Sequence, residues 1–218
     1  YFATNTVGFL RAQRYGVNGV PIDATPVTPA MAAPPAGMGT GITAADRGAF
    51  FPSLVVNTRD ANRFLLNTRA PSLYETTASD RGATLRSFAA AFAGTPAGAP
   101  TNEITALVYG GMQGATPKVG LVYAGSGSTV YVREDFGTTM NSVNLGGGQI
   151  RAIAVDPTDW RNAFAVTANR VFRLQTAVNG AGLPIVTVSD ITGNIMRNLG
   201  ELWSAAIVPG PNGVFALT

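Results

Sequence analysis

Apolar residues in this chain gather in short runs closed by Asn, Asp, Gly or Pro, and no segment sustains a long helical stripe. The runs fall at 54–56, 64–66, 104–109, 119–124, 129–132, 150–155, 163–167, 170–174, 183–188, 205–208 and 214–217. Runs this short, bounded by turn formers, predict strands. The best helical stretch is 85–92, which the Gly- and Pro-rich segment 94–100 limits to about two turns. A strand followed by a loop fits it equally. The pattern as a whole predicts an all-β chain.

The runs repeat at long range. Leu54-Val-Val-Asn-Thr-Arg-Asp60 leads to Phe64, and Ile153-Ala-Val-Asp-Pro-Thr-Asp159 leads to Phe164. The N-terminal phrase 2–11 parallels 164–173, and 213–218 stops just after the same phrase. Marking each copy by its aromatic gives Phe2, Phe64, Tyr123, Phe164 and Phe215, with steps of 62, 59, 41 and 51 residues. A four-stranded propeller blade takes about 40–50 residues. The expectation is therefore one β-propeller domain over 1–218, with about four blades of four antiparallel strands. Excess length falls in 94–100 and in the uncharged Pro/Ala/Gly stretch 24–39. Both read as loop insertions, because the repeat resumes beyond them; a polyproline arm docking on a partner is the rival for 24–39. Both termini fall within a blade, so a fragment of a larger propeller is expected over a closed four-blade ring.

Composition narrows the chemistry. Of 218 residues 46% are hydrophobic and only 12% charged, about half the usual charged share. Lys118 is the single lysine, and the net charge of +3 is spread along the chain. That is too little for a nucleic-acid footprint. With no Cys and no His, disulfides, thiolate chemistry, Cys/His zinc sites and imidazole catalysis are excluded within these residues. No apolar run reaches membrane-spanning length and no signal peptide is visible. The chain opens at Tyr1, read as a processed form or a piece of something longer.

Asp80-Arg-Gly82 with Thr84, and Asp135-Phe-Gly137 with Thr139, resemble the Asp box of sialidase-like (BNR-repeat) β-propellers. That motif is Ser-x-Asp-x-Gly-x-Thr-Trp, on the turn between the third and fourth strands of a blade. Ala78 and Arg133 stand at its Ser position, and Leu85 and Met140 at its Trp position. A third copy, Asp190 to Gly193, carries one extra residue. The resemblance implies that Asp80, Gly82, Asp135, Gly137, Asp190 and Gly193 form turns rather than catalyse. Asp boxes occur in enzymes and non-enzymes alike.

Other chemistry is sparse. Asp156 and Asp159 bracket a Pro-Thr turn, and the aspartates are too scattered for a calcium site. A glycosidase needs two carboxylates, or a Tyr/Glu pair with arginines. Tyr109, Glu103, Glu134, Glu201, Arg151 and Arg161 are the stock for one, without a spacing that groups them. Gly146-Gly-Gly148 precedes a strand, not a helix, and so reads as a blade-to-blade turn rather than a phosphate cradle. Trp160, Trp203 and Arg151 are the candidate ligand contacts; as plain structure, Trp160 covers a turn and Trp203 packs between blades. No catalytic residue, metal or cofactor is expected. The expected function is a non-enzymatic binding or assembly module of a secreted or envelope-associated bacterial protein. The alternatives are a glycan-binding or glycoside-hydrolysing propeller, and an accessory subunit that buries 24–39 against another chain.

Overall fold

The computed structural model describes residues 2–3, 10–11, 53–67, 73–76, 85–194, 200–208 and 214–217. Asp80, Gly82 and the stretch 24–39 lie outside them.

Three four-stranded antiparallel meanders dominate the described chain. Short strands β1 (Phe2–Ala3) and β2 (Leu10–Arg11) pair first. The first full sheet is β3 (Ser53–Val56), β4 (Phe64–Asn67), β5 (Leu73–Thr76) and β6 (Leu85–Ser87). The second is β7 (Ile104–Gln113), β8 (Thr116–Ser126), β9 (Thr129–Arg133) and β10 (Asn141–Asn144). The third is β11 (Ile150–Val155), β12 (Asn162–Thr167), β13 (Val171–Val178) and β14 (Pro184–Asp190). A hairpin of β15 (Ala205–Val208) and β16 (Val214–Leu217) follows. The segment at 85–92 divides between the two readings the sequence left open: β6, then one turn of helix, α1 (Ala89–Ala93).

The sheets stack face on face. First strands β3, β7, β11 and β15 pack one against the next, and fourth strands β10 and β14 also touch. Between the first two sheets, Leu65, Leu73, Phe88 and Phe92 meet Tyr109, Val122, Ala124, Tyr131 and Met140. Between the second and third, Leu121, Tyr123, Val130 and Val132 meet Ile153, Trp160, Ala165, Phe172 and Leu174. The middle sheet is thus buried on both faces. That is why Leu121, Val122, Tyr123 and Ala124 run together without polar alternation.

The turn after the first strand is built twice in the same way. Asn57 Oδ1 accepts from the amides of Arg59 and Asp60; Asp156 Oδ1 accepts from those of Thr158 and Asp159. The amide of Asn57 donates to the Arg63 carbonyl and that of Asp156 to the Asn162 carbonyl. Both are Asx-type turns in which the side chain replaces a backbone acceptor.

This register corrects the aromatic marks. Val56 pairs Phe64 and Val155 pairs Ala163, so the counterpart of Phe164 is Leu65. One residue of slip reverses the face. Leu65 faces the second sheet, whereas Phe64 packs with Leu66 and Tyr74 on the opposite face. Tyr123 and Phe164 are true equivalents of Leu65 by face: Tyr123 packs on the following, third sheet, and Phe164 alternates with Ala163 and Ala165, which face the preceding one.

Candidate functional site

The Asp-box-like turn of the second sheet lies between β9 and β10, where the resemblance implies. Its mechanics centre on the aspartate. Positive φ belongs to Asp135 (42°), not Gly137. The Asp135 carboxylate accepts from the Gly120 amide at 2.8 Å, and the Gly137 amide closes the turn on the Glu134 carbonyl at 3.0 Å. Gly120 is the glycine that geometry demands. A Cβ there would lie 2.4–2.6 Å from backbone atoms of Asp135 and Phe136.

Asp190 does not stand between third and fourth strands. It closes β14, the fourth strand, because β13 and β14 pair through Phe172 and Asp190. Its carboxylate accepts from the amide and hydroxyl of Thr192, with Gly193 at φ 49° next in the crossing to β15. The Thr192 hydroxyl bond first, then its amide, hold the Asp190 pKa below the ordinary value. In the third sheet Asn179 makes the third-to-fourth turn, accepting from the amides of Ala181 and Leu183.

Beside the Asp135 turn sits a buried ionic group that sequence spacing gave no reason to assemble. Arg133 donates to Glu75 through Nη1 at 2.9 Å and Nη2 at 2.5 Å, and to the Gly120 carbonyl through Nε at 3.0 Å. Tyr109 Oη donates to Glu75 Oε1 at 2.7 Å. The guanidinium also lies over the Phe88 ring, 4.5 Å from its centroid. All three charged or phenolic groups are buried, Tyr109 completely. Burial first, then the Glu75 charge, push the Tyr109 pKa well above the ordinary phenol value. Arg133 occupies the Ser position of the Asp-box pattern, and that departure was the available signal.

Trp160 is wholly buried between the second and third sheets. Its amide donates to the Met112 carbonyl at 2.7 Å and its carbonyl accepts from Tyr123 Oη at 3.0 Å. The neighbouring cleft, about 550 Å³, is lined by Gln113, Glu134, Asp159, Arg161 and Gln175. Asp159 and Arg161 pair with each other at 2.8 Å, and Glu134 pairs with Lys118 at 3.0 Å.

Arg151 and Trp203 are brought together. The Arg151 guanidinium lies 3.9 Å from the Trp203 ring centroid. It also donates to the Leu202 carbonyl at 2.9 Å and pairs with Glu201 at 2.9 Å. Trp203 is 65% exposed and so does not fill an interface between sheets. A cleft of about 400 Å³ opens beside Arg151, lined also by Gly147, Gly148, Gln149, Asn169 and Glu201. The glycine run thus forms a turn, as expected, and that turn walls a cleft. Among the described residues no group of three or more Asp or Glu side chains could hold a metal ion, and no helix is long and apolar enough to cross a membrane.

No family model matches the chain, and no curated protein sequence matches it. Among solved structures it is similar to the Dos1 propeller, at 14% identity and a TM-score of 0.52, over 75% of this chain. The match spans 41% of that propeller's length. The likeness bears on fold alone. It supports reading the three meanders as propeller blades, within an all-β chain whose described sheets do not close a ring.

Proposed function

We propose that this chain is a non-enzymatic binding or assembly module made of propeller blades, of the Asp-box kind, in a secreted or envelope-associated bacterial protein. One observation carries the reading. Of the residues a glycosidase could draw on, Tyr109 meets Glu75 and Arg133 inside the packing between two sheets, while Glu134 pairs with Lys118, Arg161 with Asp159, and Arg151 with Glu201. A glycosidase nucleophile must reach the anomeric carbon of its sugar. A sealed tyrosine whose pKa is raised is a pin rather than a nucleophile.

The turn-forming aspartates point the same way. Asp135, Asp156 and Asp190 each spend carboxylate oxygens on nearby amides. A charged share of only 12% favours contact with other chains in this reading. In this reading β15 and β16 begin a fourth blade, and further strands from a longer chain or a partner complete the ring.

The test is turnover of aryl glycosides, neutral and sialic-acid-based, by the purified chain. No release above the blank is expected. Steady release that Glu75→Gln abolishes would overturn the reading.

A further inference from the structure

We propose that the cleft beside Arg151, together with the exposed Trp203 ring adjoining it, binds a neutral glycan. This names a ligand class for the binding reading above and rests on it.

Arg151 is placed there by a bulge. On β11, Ile150 pairs Thr167 and Ala152 pairs Val166, leaving Arg151 without a partner. Bulges re-aim a side chain, often beside functional sites. The same bulge in β7 holds Thr105, whose hydroxyl donates to the Ile150 carbonyl at the start of the next sheet's first strand. Arg151 donates to Leu202, just ahead of β15, in the corresponding way. A threonine suffices for that lock. The arginine reaches further and carries a planar cation onto Trp203.

Trp203 remains 65% exposed despite that stacking. Indole faces are large apolar surfaces with a polar tip, and one left open beside a cleft that also offers amide groups suits a flat partner. The C–H face of a pyranose is such a partner. Around the cleft, the amides of Gln149 and Asn169 both donate and accept, as sugar hydroxyls do. The turn at Gly147 packs closely over Phe172, whose ring a Cβ there would strike at 2.7 Å.

Charge selects among glycans. The Arg151 cation is balanced by Glu201 at 2.9 Å, so the pair offers an acidic sugar no uncompensated cation.

The protein has two tryptophans, one wholly buried and one exposed, so ligand-induced emission changes report Trp203. The chain is titrated with cellotetraose, maltotetraose, xylotetraose, lactose and sialyllactose, followed by fluorescence and calorimetry. At least one neutral sugar is expected to saturate, with sialyllactose no tighter than lactose. Trp203→Ala should weaken the neutral sugar about tenfold or more, with Trp203→Tyr retaining part of the affinity. Glu201→Gln should shift preference towards sialyllactose several-fold. Saturation by no neutral sugar, unchanged affinity in Trp203→Ala with native circular dichroism, or a wild-type preference for sialyllactose overturns the proposal. So does concentration-dependent shielding of Trp203 from iodide, which would assign the patch to a second copy. Absence of sugar binding leaves the assembly reading standing; glycoside turnover would remove that reading instead.

Discussion

Glu75 on the third strand of the first sheet and Arg133 on the third strand of the second clasp each other through two hydrogen bonds, at 2.9 and 2.5 Å. Both are about 4% exposed. Such a pair repays desolvation only where every remaining lone pair and proton is used. Here Tyr109 takes one further place on the carboxylate, and the Gly120 carbonyl accepts from Nε and Nη2 of the guanidinium. The pair thus sets how the first sheet sits on the second.

Removing one member strands a buried charge. Glu75→Ala should lower unfolding stability by about 3–5 kcal/mol, read from urea melts. Glu75→Leu combined with Arg133→Met should recover much of that loss. A loss under about 1 kcal/mol in the single variant would place the pair in solvent.

Gly120 and Asp135 make a second coupled site. Gly120→Ala drives a Cβ into the backbone of the Asp135 turn and should cost about 1–3 kcal/mol or more. Asp135→Gly loses the carboxylate bond to Gly120 but relieves the positive φ, whereas Asp135→Ala loses the bond and keeps the strain. Asp135→Gly should therefore melt above Asp135→Ala. The reverse order would put Asp135 outside the left-handed region.

Acid should loosen the third sheet. Asp156 is raised by burial but lowered further by the Thr158 hydroxyl and the amides of Thr158 and Asp159, for a net depression. Asp159 is depressed chiefly by its hydrogen bond from Arg161. A depressed folded pKa means stability that is full above the ordinary carboxylate value of about 4 and lost as pH falls through the folded value. Asn57 builds the same turn without a charge. Asp156→Asn should accordingly keep stability at neutral pH and flatten the acid limb of a pH-dependent melt. An unchanged acid limb would remove Asp156 from the titration.

The strands were largely legible because apolar runs and turn formers alternate cleanly; β11, β15 and β16 begin and end where the runs do. β10 went unread because Asn141–Asn144 is mostly polar and only half-buried. The aromatic at 64 misled by one residue because the first sheet is apolar on both faces, so Phe64 and Leu65 are both fully buried. Only pairing distinguishes their faces. The Glu75–Arg133–Tyr109 group could not be read, since it joins three strands of two sheets across 58 residues. Arg151 and Trp203 were legible as residue types, but their meeting depends on a bulge that no periodicity marks.

Tyr109→Phe separates a structural pin from a nucleophile most directly. It removes only the hydroxyl bonded to Glu75, and the buried charge-assisted bond is worth about 1.5–3 kcal/mol. A parallel measurement of urea stability and of aryl sialoside hydrolysis should show stability lowered by about that much, with no turnover in either protein. Wild-type turnover abolished in Tyr109→Phe, with stability unchanged, would contradict the binding-module reading and make Tyr109 a catalytic residue.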